Sequence, residues 1–596
     1  MTERRSIVSI SLDEDQRRAL AAQGSAVVLA GPGSGKTRVL TSKVAQILSE
    51  TSNPRRGLAC LTYNVEAARE FKNRLRDLGC KKRKNIFLGT FHSFCWAEIL
   101  APFAPLYPKY GVPQALDVIS EKKLDCLFND FIRENQRFAC FNRKSVDAER
   151  VNLFKNRISC VDLKVSKNLL LHEATVEFAK FLHNRSYLDF LHLLKYSAVL
   201  LREEEYVRRA VEAKFPWILV DEYQDFGLVS HEIILTLLTR TNVKIFAVGD
   251  PDQSIYGFQG ASPEYLNELA RLPGVETFRL TKNYRSPQAI IDASERVLSS
   301  TNATQRSRYA AVGAAKELEA EFITLECAGG METQYDAALD FVERFRNEGV
   351  SLGKIAVLTK YQEDARNLRR RCAQRGISVY LARPKFRRTE LFFWLQSCAQ
   401  WTLDKFQASF DEICATWTAF LRCSQRGAIS EVELLPLRKS IYRRLIESAR
   451  YKESLLNWFE YMEKAFSLFE IFDESERENL QKLENNIREE YSVAPLSSIL
   501  NLGDVGDRLV VTTRHSSKGL EFDAVIMLNM EEGSLPDFHA KTPEDLAAEC
   551  RVCFVSISRA RKTCVFLYSR ILNGKLRAPS SFLKKIIPSE KESSDF

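Results

Sequence analysis

Residues 26–37 read Ala-Val-Val-Leu-Ala-Gly-Pro-Gly-Ser-Gly-Lys-Thr, and no other stretch constrains the chain as much. The apolar run from Ala26 to Ala30 has the length and composition of a buried strand. It runs straight into a glycine-rich turn in which Gly31, Gly35, Lys36 and Thr37 stand as the fixed positions of a phosphate-binding P-loop. Pro32, Gly33 and Ser34 complete the turn, and the glycines let backbone N–H groups face inward around phosphates without a Cβ in the way. Lys36 brings a point charge for the β- and γ-phosphates, and the Thr37 hydroxyl is a hard oxygen suited to Mg²⁺. Helical periodicity from Arg38 to Leu48 puts the phosphates at a helix N-terminus, where the macrodipole favours anions. A chance glycine turn has no need of a strand before it and a helix after it.

At 596 residues the chain exceeds what one core can serve, and about three or four domains are expected. Its 45% hydrophobic and 27% charged content is that of an ordinary globular protein. No apolar run approaches the roughly 18 residues of a membrane span, and Met1 to Gln16 lacks the apolar centre of a signal peptide. The expectation is a cytoplasmic protein that does not bind membranes. The fourteen cysteines are scattered, with Cys60, Cys95, Cys126 and Cys398 in apolar patterns, and read as reduced thiols. Cys550 and Cys553 have no second pair behind them and do not make a metal site. A formal charge of +9 permits nucleic-acid binding without requiring it. The Arg369–Arg371 cluster reads as solvated surface.

Taken in order, the chain offers one polar constellation after another at strand ends. Gln16 precedes a short helix; its amide can both donate to and accept from an adenine edge. Leu58 to Thr62 is a strand ending in Tyr63-Asn64, and a second strand over 85–89 ends in Thr90-Phe91-His92. Aromatic and small polar residues at the carboxyl edge of a doubly wound sheet suit a single strand, whose bases stack while its phosphates accept hydrogen bonds; core packing is the plainer account of Phe91 and His92. Residues 100 to about 205 are helical and carry no chemistry. The strand Trp217–Val220 then delivers Asp221-Glu222-Tyr-Gln-Asp225. Two adjacent carboxylates after a buried strand are costly unless they meet a cation or do chemistry. Asp221 suits Mg²⁺, and Glu222 suits the attacking water. Strand 243–248 ends in Gly-Asp-Pro-Asp-Gln253-Ser-Ile-Tyr256-Gly-Phe258, which places a γ-phosphate sensor beside two base-stacking rings. Arg285 is a candidate arginine finger. The second half repeats the alternation without a P-loop, with a helical stretch over 387–496 that holds Trp394, Trp401, Trp417 and Trp458 as expected core. It ends in Thr512-Thr-Arg-His515-Ser-Ser-Lys-Gly-Leu-Glu521 and Ser558-Arg559-Ala560.

The ordered set GPGSGKT, GTFHSF, DEYQD, GDPDQSIYGFQGA, NYRS, TTRHSSKGLEFD and Ser-Arg-Ala resembles the UvrD/Rep family of superfamily 1 DNA helicases. The resemblance implies an α/β fold of two RecA-like P-loop domains, each with a helical insertion. Domain 1A would take residues 1–104 and 205–288, insertion 1B 105–204, domain 2A 289–386 and 497–585, insertion 2B 387–496, with a disordered tail over 586–596. It implies ATP and Mg²⁺ as cofactors. Gln16, Gly31 to Thr37, Arg38, Arg285, Glu521 and Arg559 would hold the nucleotide, and Thr37 and Asp221 the metal. Lys36, Asp221, Glu222, Gln253, Arg285 and Arg559 would carry catalysis. Tyr63, Asn64, Thr90, Phe91, His92, Tyr256, Phe258 and His515 would contact DNA. Two departures stand out: Gln259 replaces an arginine usual in the family, and only a loose Arg426–Ile429 stands where relatives carry a duplex-binding turn.

The implied activity is an ATP-dependent helicase or translocase moving 3′ to 5′ on single-stranded DNA, with tailed duplex as a further substrate, in repair, replication or recombination. Two alternatives keep the motor. One is the helicase of a Gabija-like antiviral system that works with a separate nuclease. The other is a DNA-dependent ATPase that remodels protein–DNA complexes without unwinding.

Overall fold

The computed structural model describes residues 12–50, 56–62, 65–77, 86–112, 117–119, 121–158, 168–298, 309–381, 386–425, 431–472, 474–503, 505–572 and 574–587. The chain divides into two compact units. The first comprises residues 1–91, 208–383 and 505–596; the second comprises 92–207 and 384–504.

The first unit is built on two six-stranded sheets. One contains β1 (Ser25–Ala30), β2 (Leu58–Thr62), β3 (Ile86–Thr90), β4 (Trp217–Val220), β5 (Lys244–Gly249) and β6 (Val275–Leu280), in the order β3-β2-β4-β5-β1-β6. A short parallel pair follows, β7 (Lys282–Asn283) with β8 (Ala310–Ala311). The other sheet contains β9 (Glu321–Cys327), β10 (Ile355–Thr359), β11 (Val379–Leu381), β12 (Leu509–Thr513), β13 (Phe522–Met527) and β14 (Ala560–Ser569), in the order β9-β14-β13-β10-β12-β11. Every neighbouring pair in both sheets is parallel. Parallel sheets are covered on both faces, so their strands read as unbroken apolar runs; β2, β10 and β12 are buried along their whole length. These are the two RecA-like halves that the resemblance implies. In each, the strands deliver their polar loops to the carboxyl edge, where open α/β sheets bind ligands.

Four helices set the site. The first, α1 (Glu14–Ala21), starts in a capping box in which the Asp13 side chain takes the Gln16 N–H while the Gln16 side chain takes the Asp13 N–H. The second, α2 (Lys36–Glu50), leaves the glycine-rich turn. In the second half, α3 (Gln288–Leu298) and α4 (Pro543–Ile557) share one core, with Ile290, Ala293 and Val297 packed among Cys550, Cys553 and Phe566.

The second unit is almost wholly helical. The part within 92–207 gathers Phe128, Phe131, Phe138 and Phe178 into one core, and adds a two-residue parallel pair, Asp117–Val118 with Tyr187–Leu188, to a stretch expected to be helical throughout. The part within 384–504 packs Trp394, Trp401, Trp417 and Trp458 inside, as expected, with Trp394 stacked on Trp417 at 4.6 Å. Among the described residues no helix is long and apolar enough to cross a membrane. The described cysteines are free thiols. Arg371 pairs with Glu332 and Asp336, so at least this member of the arginine cluster belongs to an ion-pair network rather than to bare surface. The Arg426–Ile429 stretch lies outside the described residues.

Trp458 is fully buried, and its indole N–H has no partner among the described residues. Trp458→Ala is expected to cost about 3–5 kcal/mol through the cavity it leaves. Trp458→Phe should cost clearly less, because it also removes an unsatisfied donor. Chemical unfolding of the two variants checks the order.

Candidate nucleotide and nucleic-acid site

The glycine-rich turn is held from three sides. Gly33 and Gly35 lie at φ 68° and 84°, the left-handed region that glycine enters without penalty. The Ser34 hydroxyl donates to the Gly31 carbonyl at 2.7 Å, and the Gln16 amide donates to the Ser34 carbonyl at 3.0 Å. The Tyr284 N–H donates to the Gly33 carbonyl at 2.9 Å. Counted back from Gly35, the four-residue interval of a P-loop begins at Ala30, so Gly31 is an interior residue of the loop rather than its fixed first position. Gln16, expected to read a base, is buried with both ends of its amide engaged by Ser34 and Asp13.

Beside the turn, Lys36 lies 3.5 Å from the Glu222 carboxylate. Glu222 sits at φ 50°, a left-handed conformation that costs a non-glycine residue about 1–3 kcal/mol and recurs at functional sites. Burial raises the Asp221 pKa, and the Glu222 charge adds to that rise. Burial works the same way on Glu222, but Lys36 and Lys518 outweigh it and hold that carboxyl low. Gln224 ties two loops together: its amide donates to Glu222, and its oxygen accepts the Asp250 N–H at 2.9 Å. Glycine at 249 is required there, since a Cβ would stand 2.6 Å from the Gln224 oxygen.

Across from these groups, the second half contributes cations. Arg559 is 2% exposed. It donates to the carbonyls of Val555 and Leu520, to the Ser558 hydroxyl, and to the Gln253 side-chain oxygen at 3.3 Å. No carboxylate pairs with it among the described residues, and burial together with the Arg285 charge pushes its pKa down to about 9. Gln253 in turn donates to Asp250 at 2.6 Å. Arg285 is held at 2.8 Å by Glu521, whose other oxygen takes Arg561. Thus Arg285, Glu521, Gln253 and Arg559, distant in sequence, lie together in one unit.

Of the expected DNA contacts, Tyr256, Phe258 and His515 come together. Phe258 is 72% exposed and meets the His515 ring edge-on at 5.7 Å, and the Tyr256 hydroxyl donates to the His515 carbonyl at 3.4 Å. Phe91 is buried against Phe226 at 4.7 Å and so packs instead of offering a face for stacking. Thr90 closes β3. His92 meets the Phe190 ring at 5.2 Å, and burial lowers its pKa to about 4, which keeps it neutral. Tyr63 and Asn64 lie outside the described residues.

Three residues escaped the sequence reading. Lys518, inside the Thr512–Glu521 motif, makes two 2.7 Å contacts to Asp225 and a third to the Gln253 carbonyl, and sits 5.3 Å from the Tyr256 ring centre. Tyr284, inside the Asn-Tyr-Arg-Ser motif, bonds Asp13 at 2.5 Å. Both stood in motifs already singled out. Tyr309, which lies against the glycine-rich turn, stood in none.

These features define a P-loop nucleotide-binding protein whose site is divided between two parallel-sheet halves. More particularly, the chain belongs to the UvrD-like family of ATP-dependent DNA helicases. Residues 12–273 match the UvrD/REP helicase N-terminal domain, and residues 278–392 and 397–570 match the UvrD-like helicase C-terminal domain. The chain is 25% identical to the ATP-dependent DNA helicase PcrA of Staphylococcus epidermidis strain RP62A, over 97% of this chain and 86% of the relative. It is likewise 25% identical to PcrA of Staphylococcus aureus strain Mu50, over 95% of this chain and 84% of the relative.

The Lys518–Asp225 pair joins the halves with side chains only 7% and 2% exposed. Lys518→Met should therefore destabilise the fold by about 3–5 kcal/mol, because it strands a buried carboxylate. The double variant Lys518→Met, Asp225→Asn should recover much of that loss in the same unfolding measurement.

Proposed function

We propose that the protein hydrolyses ATP with Mg²⁺ to move 3′ to 5′ along single-stranded DNA and to open tailed duplexes, in repair, replication or recombination. The observation that carries this reading is Arg559, a buried guanidinium with no carboxylate partner among the described residues that reaches Gln253 of the opposite half. A buried unpaired charge is expensive, and an anion between the halves would offset that cost.

The residues fit the cofactors. A helix N-terminus with glycines in left-handed conformations suits phosphates, and the Thr37 hydroxyl with the Asp221 carboxylate is a hard-oxygen pair suited to Mg²⁺. Bound ATP with its metal supplies the phosphoryl group and neutralises part of its charge. With phosphates in the turn, Lys36 would hold them in place of the Glu222 carboxylate, and Glu222 would be free to orient and deprotonate water. Gln253 holds the γ-phosphate side of the cleft, and Arg285 and Arg559 stabilise charge that develops there. Arg559 enters from the second half, so the site is complete only when the halves are closed, and closure is what moves the strand. Tyr256, Phe258 and His515 supply stacking surfaces at the strand, with Thr90 and His92, and Tyr63 and Asn64 by resemblance, as further contacts.

Lys36→Ala should lower ATP hydrolysis by about a hundredfold or more while leaving affinity for a single-stranded oligonucleotide unchanged. Wild-type protein without ATPase activity stimulated by single-stranded DNA would sink the motor reading. Unwinding of a 3′-tailed but not a 5′-tailed duplex tests polarity, and equal unwinding of both would overturn it.

A further inference from the structure

The chain crosses between the two halves three times before it settles in the second. It leaves the first half at β7, and α3 is then buried in the second half's core. It returns as β8 to pair with β7, where the Ala310 N–H donates to the Thr281 carbonyl and the Val312 N–H to the Asn283 carbonyl, both at 2.9 Å. Only then does it enter β9.

Tyr309 stands at the start of that returning segment, with the tip of its ring on Gly31. A Cβ built at Gly31 would lie 2.5, 2.6 and 2.9 Å from Tyr309 Cζ, Cε1 and Cε2. Next to it, a Cβ at Gly33 would meet Asn283 Oδ1 at 2.5 Å and Arg285 Cβ at 2.7 Å. The backbone that carries the ring hangs from α3. Gln288 donates to the Tyr309 carbonyl at 3.1 Å and accepts the Ala311 N–H at 2.9 Å, and Glu295 accepts the Tyr309 N–H at 3.1 Å. At its far end α3 is bound to the second half by Arg296, which donates to the carbonyls of Lys585 and Ile586 at 2.8 and 2.7 Å.

We propose that Tyr309 is a positioning residue that braces the phosphate-binding turn and carries its occupancy, through Gln288, Glu295 and α3, to the second half. The proposal rests on the reading that the turn holds ATP phosphates. Backbone N–H groups bind phosphate well only when their directions are fixed beforehand, and the ring packs directly on Gly31. Any shift of the turn on binding pushes the ring, and the ring's backbone is tied to α3 by three hydrogen bonds. The contact also accounts for glycine at position 31, which has an ordinary φ but no room for a methyl group.

The test uses the full chain, a fluorescent ADP analogue, and a single-stranded oligonucleotide titrated with and without a non-hydrolysable ATP analogue. Tyr309→Phe should match wild type. Tyr309→Ala should weaken ADP binding by about fivefold or more and shrink the nucleotide-dependent change in oligonucleotide affinity, with affinity in the absence of nucleotide kept. Gly31→Ala should impair ADP binding while Tyr309 is present, and adding Tyr309→Ala should restore part of it, a sign that independent defects do not give. Unchanged ADP binding and coupling in Tyr309→Ala, or a double variant no better than Gly31→Ala alone, would overturn the proposal. Absence of nucleotide binding in wild type would instead defeat the P-loop reading on which it rests.

Discussion

A guanidinium buried with no carboxylate partner among the described residues is the constraint around which the first unit is arranged. Arg559 has left water for four neutral oxygens, which take four of its five N–H donors without neutralising its charge. The burial that drives its pKa toward 9 measures the same thing from the proton's side: the site would rather hold less positive charge. On the proposed reading, an anion between the halves would supply what the protein leaves out. On the other side, Lys36, the carboxylates of Asp221 and Glu222, and the Asp250–Gln253 pair form a polar wall whose members hold one another in place.

The character of the junction between the halves follows from this. Each half has its own apolar core, but the contacts across the cleft are mostly polar: Lys518 to Asp225, Arg285 to Glu521, Arg551 to the Ser254 carbonyl, Ser286 to the Ala560 carbonyl. Ile255 is an apolar exception, packed into the second half's core. Polar junctions of this kind resemble transient interfaces more than obligate ones. In the more accessible of these contacts, Arg285 to Glu521, the arginine would exchange its partner for phosphate oxygens at modest net cost, whereas a cut through a close-packed apolar core could not reseal around a charged ligand.

How much of this was legible beforehand depended on whether the signal was local. The P-loop, the paired carboxylates and the Gly-Asp-Pro-Asp-Gln turn each lie within a dozen residues, directly after an apolar strand, so pattern and chemistry coincide in one stretch. The aromatic core of the 387–496 region followed from periodicity in the same way, whereas the fold class came from the ordered set of motifs and the resemblance it carries. Phe91 illustrates the limit. Core packing is the plainer account of its own stretch and the resemblance puts it on display; Phe226, far along the chain, covers it. Tyr309 illustrates the converse, a residue without a motif that acquires a role only because β8 pairs with β7. Even Gly31 was legible as a glycine but not for the right reason, since what forbids its side chain is a ring 278 positions later.

The replacement of the family arginine by Gln259 bears on how strand and nucleotide communicate. Gln259 itself is exposed, on the turn that carries Phe258. The cation that physically connects the two regions is Lys518, whose ammonium touches Asp225 of the acidic motif and the carbonyl of Gln253 while it sits over Tyr256. Because Asp225 and Lys518 are both nearly inaccessible, their attraction is little screened by salt, and neither can move without the other. One ammonium group thus lies against both the Tyr256 ring and the Gln253 carbonyl. At position 518, and not at 259, the chain carries a buried charge between these two regions.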